Sequence, residues 1–283
     1  MGRSAAFFDL DKTVIAKSSA LAFGRPFYRD GLISRRDVIK GAYAQLLFRV
    51  GGGSDEQTMA KTRDYLAALV KGWRAEQVRQ IVRETLEELI SPYIYAEAVL
   101  LIEEHRAAGR DVVLVSTSGD EMVRPIGEQL GVTDIVATRM VIGEDGCYTG
   151  DVDFYAAGPN KVVAVKDLAA ERGYDLAACF AYSDSVTDAG LLSLVGHPTA
   201  VNPDRGLRRA ALENGWPVLQ FTRPVSMRSR FSVPPAPVVT GAAVGVGAAV
   251  VGLAWYARHR ALRTALAAEP TGPFSGRWRR RGA

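Results

Sequence analysis

Near the start of the chain an apolar run, Ala5 to Phe8, breaks into Asp9-Leu10-Asp11. Unbroken apolar residues that end in acids predict a buried strand with charge at its carboxyl end. From about Val14 to Tyr95 the rhythm turns helical. The stretches "RRDVIKGAYAQLLFRV" (35–50) and "AEQVRQIVRETLEELI" (75–90) repeat apolar residues every three or four positions. Between them "GGGSDEQ" breaks the pattern, and Ser54 or Asp55 is placed to cap the next helix. Residues 15–95 therefore predict an all-helical insert.

Beyond it the period changes. "AEAVLLIEEHRAAG" predicts a helix ending at Gly109, and "DVVLVS" a strand ending at Ser116. "GDEMVRPIGEQLG" predicts a helix that Pro125 must bend unless it sits in the first turn. "DIVATRMVIGEDGCYTGDV" predicts strands on either side of Glu144-Asp145-Gly146. A helix over "KVVAVKDLAAERG" and a strand over "ACFAYSD" follow. Short strands "PTAVN" and "PVLQF" then flank the helix "DRGLRRAALENG". Strands alternating with helices predict an α/β fold, a Rossmann-like, doubly wound, mostly parallel sheet built from residues 1–14 and 96–222. Such sheets bind ligands at the carboxyl ends of their strands. Asp9, Ser116 and Asp184 all fall at such ends.

The C-terminal pattern is different again. From Phe231 to Ala257 no residue is charged. After a linker over 223–237, residues 238–257 predict a transmembrane helix of about 30 Å, long enough to cross a hydrocarbon core. Trp255 and Tyr256 sit at its end as an interfacial pair would, followed by Arg258, Arg260 and Arg263. Gly241 and Gly245 form a GxxxG that permits close helix packing. The plainer alternative is an Ala/Gly linker or a buried helix. Residues 258–283 predict a basic, disordered tail with seven arginines.

A signal peptide is not expected, because Asp9 and Asp11 fall where its apolar core would lie. The catalytic domain is therefore expected in the cytoplasm. A single span would then place the arginine-rich tail outside, against the positive-inside rule. Interfacial or re-entrant seating on anionic lipid, or insertion after the domain has folded, would resolve the conflict. The expected macroscopic partner is membrane lipid, met through residues 238–257 and the basic tail.

Composition narrows the remaining classes. The chain has 283 residues, 48% hydrophobic and 23% charged, which suits a packed core. Its net charge of +4 is modest and owes much to "RWRRR", so no nucleic-acid partner is expected. Cys147 and Cys179 share no metal-like spacing, and His105, His197 and His259 are scattered. Neither a disulfide framework nor a zinc site is expected.

Four pieces carry chemistry: Asp9-Leu10-Asp11-Lys12-Thr13-Val14, Ser116 after "VVLV", Lys161 in "GPNKVVAV", and Asp184 with Asp188 in "YSDSVTD". Singly, each has a structural explanation: a turn, a helix cap, a solvated lysine, a capped helix start. Together and in order, they suit phosphoryl transfer. A carboxylate can attack phosphorus. Mg²⁺ reduces the repulsion between two anions. A hydroxyl and a lysine hold the transferring oxygens, and a second carboxyl moves the proton.

This set resembles the haloacid dehalogenase superfamily of phosphatases, with its DxDx[TV] first motif. It is most similar to subfamily IB, which includes phosphoserine phosphatase and carries a helical cap between the first and second motifs. The resemblance covers about residues 4–221. It implies that Asp9 is the nucleophile and Asp11 the general acid/base, with Thr13 orienting the loop. Ser116 would bind phosphate with Thr117 and backbone N–H groups through Gly119. Lys161 would neutralise the nucleophile and the phosphoryl group. Mg²⁺ would be held by Asp9, Asp184 and the Asp11 backbone carbonyl, and Asp188 would support its water shell. The substrate would be a small phosphate ester.

Two residues depart from the pattern. Ser183 precedes Asp184 where relatives commonly have Gly, which matters if that position needs positive φ. Lys12 follows Asp11 where a small residue is common, so it either perturbs Asp11 or points outward. The cap should select the substrate, with Lys17, Ser18, Ser19, Arg25 and Arg29 near its start. Arg25 and Arg29 read equally well as a solvated helix face. The same residues would also serve a phosphotransferase with an acceptor other than water. A regulatory protein that kept the fold and lost turnover is the non-enzymatic alternative.

Overall fold

A computed structural model describes residues 2–34 and 56–224, with side chains from Met59 onward in the second segment. The helix expected over 35–50, the caps Ser54 and Asp55, the transmembrane helix expected over 238–257 and the tail 258–283 lie outside the described residues. Among the described residues no helix is long and apolar enough to cross a membrane.

The first strand, β1 (Ala5–Asp9), is buried at every position. A strand covered on both faces needs an unbroken apolar run rather than alternation. Both of its edges are paired as well. β2 (Asp111–Gly119) pairs with it in parallel on one side, and β5 (Phe180–Ser183) in parallel on the other. The sheet continues through β3 (Asp134–Ile142) to β4 (Tyr148–Phe154), and through β6 (His197–Val201) to β7 (Val218–Leu219). The order is β4-β3-β2-β1-β5-β6-β7, with only β4 antiparallel to its neighbour. The expected mostly parallel α/β sheet is present, and β1 lies where the strand order reverses. That is where such sheets open a crevice for a ligand.

Side-chain alternation along β1 divides the core. Ala5 and Phe7 face one apolar cluster, and Ala6 and Phe8 the other. On the first face lie α7 (Pro159–Arg172), α8 (Ala189–Leu192) and α9 (Arg205–Asn214). The second face is covered by α5 (Ala96–Ala107) and α6 (Asp120–Gln129). The same cluster runs on into the helical insert. That insert contains α1 (Ser19–Ala22), α2 (Gly24–Arg29), α3 (Glu56–Val70) and α4 (Ala75–Leu89). Val78, Ile81, Val82 and Leu86 of α4 lie in one cluster with Phe8 and Leu114 of the sheet. Their spacing makes one helical stripe.

The insert is also joined to the sheet through its backbone. Gly72 N donates to Tyr148 O at 2.9 Å, Tyr148 N to Trp73 O at 2.9 Å, and Ala75 N to Gly146 O at 3.1 Å. The turn expected at Glu144-Asp145-Gly146 forms, with Gly146 at φ 76°. The β3–β4 hairpin thus continues into the loop between α3 and α4.

Two expected strand boundaries move, and the position of Pro125 is decided. β2 runs on to Gly119 instead of stopping at Ser116, and its pairing with β3 shifts register between Val115 and Gly119. Pro125 sits inside α6 rather than in its first turn. The strand over "PVLQF" shortens to Val218–Leu219, paired with β6 at the edge of the sheet.

Candidate active site

Alternation aims Asp9. As the fifth residue of β1 it shares the face of Ala5 and Phe7, the face that α7 covers. Along α7, Lys161, Val165 and Ala169 form the buried stripe. The lysine stem therefore continues an apolar ridge and delivers its ammonium to the strand end. Lys161 Nζ lies 2.8 Å from Asp9 Oδ1 and 2.9 Å from Asp188 Oδ2. Burial works against the ammonium, yet Asp188 and Asp9 outweigh it and hold the Lys161 pKa above its ordinary value.

Asp188 has a second support that sequence reasoning missed. Ser183 Oγ donates to Asp188 Oδ2 at 2.8 Å and accepts from Ser185 N at 3.3 Å. Ser183 has no positive φ, so the concern over a missing glycine does not arise. The signal was in the sequence: a hydroxyl five residues before an acid, across a strand end.

Asp11 stands in different surroundings. Ser19 N donates to its Oδ1 at 2.9 Å, and Ser118 Oγ lies 3.4 Å from its Oδ2. Ser19 Oγ and Ser118 Oγ are 2.8 Å apart. These hydroxyls join the start of the insert to the end of β2, a meeting that sequence spacing does not announce. Burial raises the Asp11 pKa, against hydrogen bonds from Ser19, Ser18 and Ser118.

The other expected residues are placed as follows. Ser116 is buried at the end of the apolar part of β2, beyond the Asp9↔Val115 pair, and its Oγ accepts from Ser118 N at 3.2 Å. Thr117 is exposed, and its carbonyl accepts from Thr138 Oγ1 at 2.7 Å. Thr13 is fully buried, but its hydroxyl has no hydrogen-bond partner. The loop instead turns on the Leu10 carbonyl, which accepts from Val14 N at 2.9 Å and Ile15 N at 3.0 Å. Asp184 follows β5 directly and is buried. Lys12 approaches Asp184 rather than Asp11, with Nζ 3.9 Å from Oδ2.

Of the candidates for substrate selection, Ser19 is committed to Asp11, and Lys17 Nζ sits 3.3 Å from the centre of the Tyr93 ring. Arg25 and Arg29 are exposed, and Arg29 pairs with its neighbour Asp30.

Asp9 and Asp188 thus share one buried ammonium, with Asp184 close by and Lys12 at the rim, while Asp11 keeps to its serine partners. Burial pushes the Asp9 carboxyl well above the usual range. Asp188 and Asp184 add to the rise, and Lys161 opposes it. Asp184 is pushed up to about 7 by burial, with Lys12 opposing and Asp188 and Asp204 adding. The donor set is short of positive charge and made of oxygen, which fits a hard divalent cation. Asp188 Oδ1 is buried without a hydrogen-bond partner. Among the described residues no three acidic, His or Cys side chains form a metal site by themselves. Asp9 and Asp184, at the ends of the paired strands β1 and β5, are the carboxylates that could share such a cation.

Comparison with known proteins gives the following. Residues 6–193 match the family described as haloacid dehalogenase-like hydrolase. The chain is 60% identical to an "Inhibition of morphological differentiation protein" of Streptomyces azureus, over 91% of this chain and 94% of that one. It is 52% identical to a probable phosphatase of Mycobacterium tuberculosis, over 91% of this chain and 90% of the relative. A phosphoserine phosphatase of M. tuberculosis is 36% identical over 87% of this chain and 80% of its own length.

Proposed function

The chain belongs to the haloacid dehalogenase-like hydrolase family and is a phosphate-monoester hydrolase; on that footing we propose a Mg²⁺-dependent phosphatase that works through a phosphorylated Asp9 on a small phosphorylated metabolite. The observation that carries this reading is the contrast between the two acids. Asp9 is held by an ammonium, Asp11 by a backbone N–H and hydroxyls. A carboxylate beside a cation is suited to attack, and a carboxyl among neutral donors is suited to carry a proton.

Asp9 attacks phosphorus, and the bond from phosphorus to the ester oxygen breaks. Asp11 gives its proton to the departing oxygen, which leaves as the alcohol. Asp11, now a carboxylate, takes a proton from water as that water attacks the phosphorylated Asp9. Inorganic phosphate departs and Asp9 is restored. Lys161 holds Asp9 in place and offsets the charge of the phosphoryl oxygens, while Ser116 and the backbone N–H groups from Thr117 to Gly119 bind them. Asp188 and Ser183 fix Lys161. Mg²⁺ bound by Asp9, Asp184 and the Asp11 carbonyl would neutralise the repulsion between carboxylate and phosphate.

The uncharged run ending at Ala257 supports a membrane anchor over residues 238–257, with the basic tail against anionic lipid. Cell fractionation tests this: removal of residues 231–283 should release the enzyme from the membrane fraction.

The test of the chemistry is phosphate release from an aryl phosphate by the purified protein. Release should require Mg²⁺ and disappear in Asp9→Asn. Hydrolysis left intact in Asp9→Asn would show that Asp9 is not the nucleophile. Transfer to an added alcohol with no free phosphate would show a phosphotransferase.

A further inference from the structure

Lys12 is the residue that the reaction above leaves without a task, and its conformation is costly. Its φ is 62°, in the left-handed region where a long L side chain is held at about 1 kcal/mol or more. The only other non-glycine residue with positive φ among the described residues is Asn202, a type that tolerates it. The backbone turn at Lys12 is imposed by the Leu10 carbonyl, which gathers the amides of Thr13, Val14 and Ile15. That requirement would be met better by Gly or Asn. A lysine here therefore calls for a reason in its side chain.

The side chain reaches across to Asp184. Its Nζ stands 3.9 Å from Oδ2, with 65% of the Lys12 side chain exposed and 9% of the Asp184 side chain. The other nearby ammonium, on Lys161, is already divided between Asp9 and Asp188. Lys12 is thus a positive charge on a flexible stem at the solvent side of a buried carboxylate. A divalent cation arriving at Asp184 would meet that charge and repel it. Because the stem is mostly in solvent, the ammonium can swing away without disturbing the core.

We propose that Lys12 is a resident counter-ion of Asp184: it partners the carboxylate when no cation is bound, weakens Mg²⁺ binding, and so keeps the metal exchangeable. This rests on Asp9 and Asp184 being the cation ligands. An exposed charge at this distance, in surroundings between protein and water, acts weakly but on a doubly charged ion.

The test is Mg²⁺ titration of the full chain by calorimetry, without substrate. Lys12→Asn keeps a residue that accepts positive φ and removes the charge; Lys12→Arg keeps the charge. Lys12→Asn should bind Mg²⁺ roughly three- to tenfold more tightly than the parent protein. Lys12→Arg should stay within about twofold, and the gap should narrow as KCl is raised. Equal or weaker binding by Lys12→Asn, with binding lost in Asp184→Asn, overturns the role of Lys12 alone. Undiminished binding by Asp184→Asn overturns the cation site and the inference with it.

Discussion

Lys161 Nζ bonds Asp9 Oδ1 at 2.8 Å across 152 positions of sequence, and its second bond, to Asp188 at 2.9 Å, links the first strand to the loop after β5. One ammonium therefore serves two buried carboxylates. Its removal leaves both without that partner, which is far more damaging than never having had the pair.

Lys161→Met should accordingly do two things. Stability should fall by about 3–5 kcal/mol, and kcat should fall by about a thousandfold or more. Urea unfolding and phosphate release read the two effects separately. A variant of parental stability would show that Asp9 and Asp188 do not depend on this ammonium.

Asp11→Asn should lower kcat in proportion to how much the leaving oxygen needs a proton. For an alkyl phosphate the loss should be about 10²–10⁴-fold. For a nitrophenyl phosphate, whose leaving group departs unprotonated, the first step should be nearly spared. Because Asp11 also serves the second step, common to both esters, the comparison is made on single-turnover release of the alcohol or nitrophenol; equal losses there would remove Asp11 from the role of proton donor.

Ser183→Ala deletes the hydroxyl that donates to Asp188 Oδ2. The expected cost is about 1–2 kcal/mol, measured as a lower urea midpoint with unchanged slope. An unchanged midpoint would mean that Asp188 is held by Lys161 alone.

His105 sets a pH dependence far from the reaction. Its ring accepts from Arg110 Nε at 2.7 Å through Nδ1, which leaves Nε2–H to donate to Tyr182 Oη at 2.8 Å. Burial, with Arg110 nearby, lowers its pKa from 6.5 to about 4. Between those values the unfolded chain binds the proton and the folded chain does not. Stability from this group is therefore complete above pH 6.5 and lost as the pH falls towards 4, by about 3 kcal/mol in all. His105→Phe should flatten that part of the stability profile relative to the parent. Parallel profiles would show that His105 does not titrate differently on folding.

Much of this was readable in the chain. The run Ala5–Phe8 reads as a buried strand, and the three- and four-residue spacing of Val78, Ile81, Val82 and Leu86 reads as one side of a helix. The acids, Ser116 and Lys161 were found because each stands where a periodic segment ends or begins. The hydroxyls of Ser183 and Ser118 were not read as site groups, and Ser19 was read as a candidate for substrate selection rather than as a partner of Asp11, because a serine carries little pattern of its own and its partner lies elsewhere in the sequence. Lys12 showed that it was out of place but not why, since its direction depends on a turn gathered around the Leu10 carbonyl.

Local chemistry thus decides which residues here are strand, helix and reactive group: periodicity and residue type act over a few neighbours, and those are present in the sequence. Partnership is another matter. That Lys161 serves Asp9 and Asp188, that Ser118 meets Asp11, and that Lys12 turns towards Asp184 follow from strand order, from the face to which alternation sends each side chain, and from the helix laid over that face. Those depend on packing the whole chain at once, and only the tertiary structure brings the two acids of "FFDLD" into surroundings different enough to divide their work.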